Sequence, residues 1–321
     1  MLIPTHVPVR TSSKRKSEST LVGRSSKRHR SSRASCTSLN KNESGVSSHV
    51  RSLTGNELQA VEYINELISH GARSFATGWL LEDTQMSLWY IDRMGVVQST
   101  RFDIFKESHY LLLLIAAISS ASLHDIGVCH LIKADPNSKT FETWDDMTLE
   151  LHNASSDTTK ILPELNFKVT DRGDIYTDYG GVGRGTTIIP IRPIGDTAQL
   201  LDLNDEERLV AKIAWPPAYR DSEGNFVKKI RQCLTNAGNS HILKHIVDIK
   251  CSLSHTMGDA KLPRAFMDLE KPAGCEERIF RCFVMTRYDR LENVNSVDEF
   301  KKVFIDVVRG TFPFSLRTSI L

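Results

Sequence analysis

Hydrophobic positions recur at two different periods along this chain, and the period identifies the elements. Between residues 54 and 71 they recur every three or four positions, as on one face of a helix. The apolar positions are Leu58, Val61, Ile64, Leu67 and Ile68. Thr54 and Glu57 have the spacing of a capping box, and Gly71 can end the helix. The sequence therefore predicts a helix from residue 54 to about residue 70.

Apolar and β-branched runs predict strands farther along the chain. Residues 75–81 and 86–91 are two such runs joined by a polar turn, and residues 96–97 follow a second turn, so we expect a short antiparallel meander. Residues 187–194, 209–215 and 279–286 have the composition of three more strands. In contrast, residues 133–160 are polar with few strand signals, and a long connection is expected there.

Three further helices are predicted. Residues 109–123 are apolar on most faces, so this helix is expected to be buried. Another begins at Asp221 or Ser222 and runs to about Ala237, where Gly238 can end it. A second capping box, formed by Ser296 and Glu299, starts the last one.

Composition sets the N-terminus apart from the rest of the chain. Residues 1–50 hold ten Lys and Arg against two Glu, about +8, whereas all 321 residues together carry +2. Rich in Ser and Arg and poor in aromatics, they are predicted to be a disordered basic tail. Two basic clusters within residues 14–30 have the spacing of a bipartite nuclear-import signal, which predicts an import receptor as partner. Non-specific contact with nucleic-acid phosphates is the alternative.

Cysteine spacing and hydropathy indicate the cellular compartment and bear on membrane and metal-binding functions. The six cysteines are scattered and follow no secretory signal, so we expect reduced thiols in an intracellular protein, nuclear or cytoplasmic. The strongest apolar run, residues 110–118, is far shorter than the ~20 residues that span a bilayer, so no membrane partner is expected. His241 with His245, and Cys251 with His255, have spacings compatible with metal ligands. They lack the tight pairing of structural zinc sites, and no metal site is predicted.

The strongest chemical signal lies between residues 180 and 215. Glycines at 180, 181, 183 and 185 can form a turn whose N–H groups face phosphate oxygens. Lys212 lies alone among Val, Ala and Ile, where burial of its charge requires an anion. Glu223, at the start of the following helix, is its candidate partner. Each of these features has an alternative interpretation. The glycines can form only a tight hairpin turn, and the lysine can lie at a strand edge with its charge in solvent. The glutamate can be a first-turn acid that the helix dipole stabilises.

In this order, these residues resemble the fungal-type protein kinases, a family of kinase-like domains abundant in mushroom-forming fungi. The resemblance covers about residues 55–309. The resemblance rests on five segments, which are Trp79-Leu80-Leu81 with residues 88–93, Gly183-Arg184-Gly185-Thr186, residues 210–215, Ser222-Glu223-Gly224 and Phe283-Val284-Met285. The resemblance implies an ATP-dependent phosphotransferase fold that uses Mg²⁺. The implied ATP-binding residues, with weak affinity, are Gly181, Gly183, Gly185, Lys212, Glu223, Met285 and Arg287.

The chain departs from this family in one respect. Kinases carry a His-Arg-Asp catalytic loop and then an Asp-Phe-Gly segment after the hinge, and the 321 residues contain neither. No catalytic residue is therefore assigned, and whether the chain is an enzyme stays open. We expect a kinase homologue that is truncated before the catalytic loop and inactive alone, with residual ATP-site features. A nuclear scaffold or protein-interaction module without nucleotide is the alternative.

The predicted architecture is α+β. Residues 1–50 form the tail, residues 51–155 an α/β subdomain, residues 156–309 a kinase-like small lobe of antiparallel sheet plus helix, and residues 310–321 a C-terminal tail. The large lobe is absent from this prediction. The apolar surface thereby left under the small lobe is expected to attract a protein partner.

Overall fold

The computed structural model describes residues 2–3, 52–134, 147–156, 160–170, 172–204, 207–267, 276–288 and 296–305. Every strand pairing among these residues is antiparallel. The predictions for the basic clusters and for residues 310–321 lie outside the described residues. The predicted division of the chain at residue 155 stays a prediction.

A helix and a small sheet form the N-terminal layer. Helix α1 spans Gly55–Ile68 with Thr54 as its N-cap, and both hydrogen bonds of the predicted capping box are present. The strands are Leu2–Ile3 (β1), Phe75–Glu82 (β2), Gln85–Asp92 (β3), Gly95–Ser99 (β4) and Phe102–Asp103 (β5). They follow the order β1-β4-β3-β2, with β5 also paired to β3. Val61, Ile64 and Ile68 of α1 pack on Trp89 and Ile91, so the predicted helix and meander are confirmed, whereas Leu58 and Leu67 of the predicted stripe are exposed.

Six strands of the larger sheet close into a barrel. The strands of this sheet are Ile132–Ala134 (β6), Met147–Ser156 (β7), Ile161–Val169 (β8), Tyr176–Thr177 (β9), Thr187–Ile194 (β10), Leu209–Ala214 (β11), Ile249–His255 (β12) and Phe280–Thr286 (β13). Neighbours follow the order β11-β13-β12-β7-β8-β10, and β10 also pairs with β11, which closes the ring. Strands β6 and β9 are attached outside the ring. The barrel interior is apolar, and it contains the main core of the molecule.

The barrel corrects the expectation of a long connection over residues 133–160, because β7 occupies part of that range. The predicted antiparallel sheet is present, but β7 and β8 close it. Both strands change their buried side at the same level of the sheet, between the pairs His152↔Glu164 and Ala154↔Leu162. Simple alternation is therefore interrupted in both, and Pro163 is itself an unfavourable strand residue.

Helix α2, Ser108–Ser120, was expected to be buried, and that expectation is wrong. None of its residues is buried, and Leu112 is 65% exposed. No described helix or strand packs extensively against it. Apolar composition favours burial, but the neighbours present in the tertiary structure decide whether it occurs. No helix within the described residues is long and apolar enough to cross a membrane.

The remaining helices lie around the barrel. Helices α3 and α5 are single turns at Thr197–Leu200 and Pro263–Phe266, while α4 spans Glu223–Asn236 with Ser222 as N-cap. Helix α4 covers the outer face of β12 and β13 through Val227, next to Phe283. Residues 297–305 are also helical. The predicted helix starts at residues 222 and 296 are thus confirmed.

Candidate functional site

The predicted partner residues Lys212 and Glu223 meet outside the barrel. In β11, Ala211 and Ile213 face the core, so the two-residue period of a strand turns Lys212 outward. Its Nζ lies 2.8 and 2.7 Å from the two carboxylate oxygens of Glu223, at the first turn of α4. The side chains are 24% and 44% exposed. The predicted pairing is therefore present, within reach of a ligand.

The pair lies in a cleft of about 440 Å³ with an excess of positive charge. The other lining residues are Arg184, Ala214, Pro216, Arg220, Asp221, Ser222, Phe226, Arg281 and Phe283. Four cations thus oppose two carboxylates. Within the described part of the chain, the guanidinium groups of Arg184 and Arg220 make no hydrogen bond or ion pair. Such a cleft can bind an anion without first breaking the Lys212–Glu223 pair.

The glycine turn beside the cleft uses its backbone N–H groups elsewhere. The N–H of Gly181 donates to Asn65 Oδ1 at 2.6 Å, and that of Gly183 donates to the Arg93 carbonyl at 3.0 Å. Gly180 likewise donates to Ser69 Oγ. These three donors therefore bind the N-terminal layer in this structure, and the predicted contact of the turn with phosphate stays a prediction.

Close packing explains two of the glycines. A Cβ on Gly181 would lie 2.4 Å from Ile91 Cδ1, and one on Gly185 would lie 2.2 Å from Arg93 Cζ. Gly185 also has φ +49°, which L residues rarely adopt. Both positions thus require glycine for steric reasons, independently of any ligand.

Arg93 holds this turn from behind. It is 1% exposed, and its guanidinium donates to the carbonyls of Gly180 and Arg73, both at 2.8 Å. Burial lowers the pKa of Arg93 to about 10. The sequence places an arginine after β3, but nothing in it indicates that its partner is the glycine turn 87 residues away.

The front of the turn is attached to the lysine strand. The Trp215 N–H donates to the Arg184 carbonyl at 2.7 Å, which brings residue 184 beside the end of β11. The Arg184 side chain can then line the Lys212 cleft. The turn therefore contributes a cationic side chain to the cleft, a contribution that sequence reasoning missed.

Met285 and Arg287, which the resemblance implies as ATP-binding residues, do not line this cleft. Lys212 is opposite Phe283 in the β11–β13 register, and Met285 is two residues beyond it. The Met285 side chain packs with Val227 in the outer cluster. Arg287 forms an ion pair with Asp174. Of the predicted residues, the structure brings Lys212 and Glu223 together and places these two elsewhere.

Arg281 is a further site residue that the sequence did not reveal. It is only 7% exposed, although it lies on the outer side of β13. Its terminal nitrogens donate to the carbonyls of Asp221 and Arg220, at 2.9 and 2.5 Å. Its Nε has no hydrogen-bond partner in the described part of the chain, and burial lowers its pKa. Arg281 thus fixes the loop that precedes α4.

The histidines and cysteines with ligand-like spacing do not form a metal centre. Within the described residues, no group of three or more His, Cys, Asp or Glu side chains is placed to hold an ion. His255 instead lies 2.9 Å from His130, Nδ1 to Nε2. Burial and the neighbouring histidines lower the pKa of His130 to about 3.

Comparison with known proteins identifies a family. The family described as fungal protein kinase matches residues 24–321. No curated protein and no solved structure matches the chain.

Proposed function

Because the chain belongs to the fungal protein kinase family, we propose that the Lys212 cleft binds the triphosphate of ATP. The observation that carries the proposal is the position of Arg184 and Arg220. Both residues line the cleft that holds the Lys212–Glu223 pair, and neither guanidinium is neutralised by another described residue. A polyanion compensates them, whereas a neutral ligand does not.

Each residue of the cleft has a separate role in binding the triphosphate. Arg184 and Arg220 can each donate two hydrogen bonds to phosphate oxygens, the geometry for which guanidinium is suited. Glu223 orients the Lys212 ammonium at the wall of the cleft. Phe226 and Phe283 provide apolar surface beside these groups. With the N–H groups of Gly181 and Gly183 bound to protein acceptors, side chains rather than backbone amides supply the positive charge.

Magnesium fits this cleft as an ion that arrives with the nucleotide. Mg²⁺ is usually held by one or two carboxylates together with substrate phosphates. Asp221 is the cleft carboxylate outside the Lys212–Glu223 pair, so it would hold the ion. When bound, Mg-ATP supplies the transferable phosphoryl group, and the chain's own residues bind and orient it.

We further propose that these 321 residues do not transfer phosphate alone. Phosphoryl transfer requires a group that orients the acceptor and carboxylates that hold the metal ions. The sequence contains neither His-Arg-Asp nor Asp-Phe-Gly. In a kinase assay with Mg-ATP and generic acceptors, we expect no incorporation above background. Phosphorylation that disappears in Lys212→Met would show that the catalytic groups lie elsewhere in the chain.

Calorimetric titration with ATP, with and without Mg²⁺, tests the binding proposal. Loss of a charge-assisted hydrogen bond of about 1.5–3 kcal/mol predicts that Lys212→Gln and Arg184→Gln each weaken binding about tenfold or more. Lys244→Gln is the matched control, because Lys244 is exposed and does not line the cleft. Equal affinity of wild type, Lys212→Gln and Arg184→Gln would refute the assignment.

A second candidate is a protein-interaction module without nucleotide. The exposed apolar helix α2 favours it, since large exposed apolar surfaces are typical of interaction sites. Leu112→Glu and Leu113→Glu should then abolish complex formation in cell extracts and leave the ATP titration unchanged. Unchanged complexes would remove the support that α2 gives.

The nuclear location stays a separate proposal, which rests on the basic clusters of residues 14–30. A reporter fused to residues 1–50 should concentrate in nuclei, and substitution of Lys27, Arg28 and Arg30 by alanine should disperse it. A cytosolic wild-type fusion would contradict the proposal.

A further inference from the structure

We propose that a second cleft, separated from the Lys212 cleft by Arg281, binds a phosphate monoester. This cleft has a volume of about 570 Å³ and lies between the first turns of α4, residues 218–222, and strands β7 and β12. Arg281 lines both clefts, as do Arg220, Asp221 and Ser222. The proposal does not depend on ATP binding, since Lys212, Glu223 and Arg184 line only the first cleft.

The lining of the second cleft is rich in hydrogen-bond donors and positively charged. The hydroxyl and amide side chains include Asn153, Ser155, Ser156, Asn225, Ser252 and Ser254. Three cations, Arg220, Lys228 and Arg281, stand against the single carboxylate of Asp221. Within the described residues, Arg220 and Lys228 make no ion pair. Several donors around uncompensated positive charge predict an anionic ligand with several acceptor oxygens.

Arg281 is the strongest indication that the cleft is a built site. The residue as a whole is only 7% exposed. Its two hydrogen bonds go to backbone carbonyls, Nε has no partner among the described residues, and no carboxylate pairs with it. The Asp221 carboxylate offsets part of the cost of burying this cation, and the rest remains because no carboxylate is hydrogen-bonded to it. An anion in the adjoining cleft would offset this cost.

The N-terminal end of α4 adds to the positive electrostatic potential of the second cleft. Helix α4 has 14 residues, and its N-cap, Ser222, and its second residue, Gly224, line the cleft. Unpaired N–H groups and the helix dipole make this end of a helix attractive to anions. Three features thus contribute independently to the positive potential of the cleft. They are the N-terminal end of α4, the unpaired cations Arg220 and Lys228, and the buried Arg281.

The ligand class follows from charge and size. A phosphate monoester carries close to two negative charges at neutral pH and three acceptor oxygens, which match the converging donors. The cleft is much larger than a phosphate group, so the remaining space accommodates the organic part, either a small metabolite or a phosphorylated side chain of a peptide. The shared chemistry is the phosphate monoester.

The test uses the full chain at low ionic strength and compares glycerol 2-phosphate with glycerol by calorimetry and by chemical-shift mapping. We expect glycerol 2-phosphate alone to bind, and Lys228→Gln to weaken it about tenfold. Lys244→Gln makes the same charge change at an exposed lysine outside the cleft, so it should change affinity less than twofold. Lys212→Gln should likewise have little effect, which separates this site from the ATP site.

A second variant guards against a folding artefact. Ser254→Asp places a carboxylate at an exposed position on the cleft wall and should abolish binding without lowering the melting temperature. Equal weakening by Lys228→Gln and Lys244→Gln would show only general electrostatic attraction and would overturn the proposal, as would equal binding of glycerol. A phosphoserine peptide that binds more tightly than glycerol 2-phosphate would assign the source to a protein, and equal binding would assign a small metabolite.

Discussion

Strands β11 and β13 present an apolar face to the barrel interior and a charged face to the clefts outside. Ala211, Cys282 and Val284 lie inward and are completely buried. Lys212 and Arg281 lie outward, and each takes part in a cleft. The strands are paired from Leu209↔Thr286 to Ala214↔Arg281, so both faces share one register.

This difference shows how stability and chemistry share the same backbone. Alternate residues of a strand face opposite sides, and a slip of one residue would exchange the two faces. The apolar core fixes the register, because burial of Lys212 in the barrel would be far more costly than its exposure. The inner face therefore determines where the outer charges lie. The comparison predicts that inner substitutions act on stability and outer ones on binding.

The largest effect is expected for Phe280→Ala on the inner face. Phe280 is fully buried, with its ring centroid 5.1 Å from that of Trp215. Removal of a buried aromatic side chain should lower the free energy of unfolding by about 3–5 kcal/mol. Lys212→Ala on the outer face should lower it by about 1 kcal/mol or less. Urea unfolding measures both, and similar losses would abolish the distinction between the faces.

A second pair of variants tests the turn that brings Arg184 to the outer face. Gly185 and Gly195 have φ +49° and +58°, but only a Cβ at residue 185 meets Arg93, since Gly195 has open space around it. Gly195→Ala should cost about 1 kcal/mol of backbone strain. Gly185→Ala should cost about 2–4 kcal/mol, because it also displaces buried hydrogen bonds of Arg93. Equal losses would mean that Arg93 adjusts freely.

Stability should also depend on pH through His130, whose ring packs against that of Phe280. Its pKa is about 3 in the folded chain, below the unfolded value of about 6.5, so the unfolded state binds more protons between these values. Stability is therefore complete above about pH 6.5 and falls as the pH decreases. The loss is about 1 kcal/mol per pH unit, allowing for partial exposure.

Urea titrations between pH 7.5 and 5 measure this dependence. His130→Phe should reduce the slope, while the remainder comes from groups such as His255, whose pKa is also lowered by burial. His124 and Lys133 also oppose protonation of His130. The exposed His152 provides the control, and His152→Phe should keep the wild-type slope. An unchanged slope in His130→Phe would contradict the burial of this imidazole.

The smallest change in stability is expected for Glu223→Gln. The Lys212–Glu223 pair is partly exposed, and such pairs contribute about 0–1 kcal/mol. A melting temperature within about 2 °C of wild type, together with weakened ATP binding, would show that the pair positions Lys212 and adds little to stability. A large loss of stability would show that the pair contributes to stability as residues of the inner face do.

Part of the fold and of the site could be read from local patterns. Thr54 and Glu57 predict the start of α1, and Ser222 predicts the start of α4. Both could be recognised in the sequence because capping depends on residues three positions apart. Lys212 within β11 and Glu223 at the start of α4 could be paired from their order along the chain. Strands β7 and β8 were missed, because their buried sides change phase near Asn153 and Pro163.

The sequence alone determined the positions of the longer helices and of six strands, the outward placement of Lys212 and the net charge of residues 1–50, since these depend on residues close together along the chain. The tertiary structure alone decided that the sheet closes into a barrel, that α2 stays exposed and that Arg93 fills the space behind Gly185. It also decided that Arg184, Arg220 and Arg281 converge around the two clefts. These outcomes depend on contacts between residues far apart in sequence, whose free energies no local pattern contains.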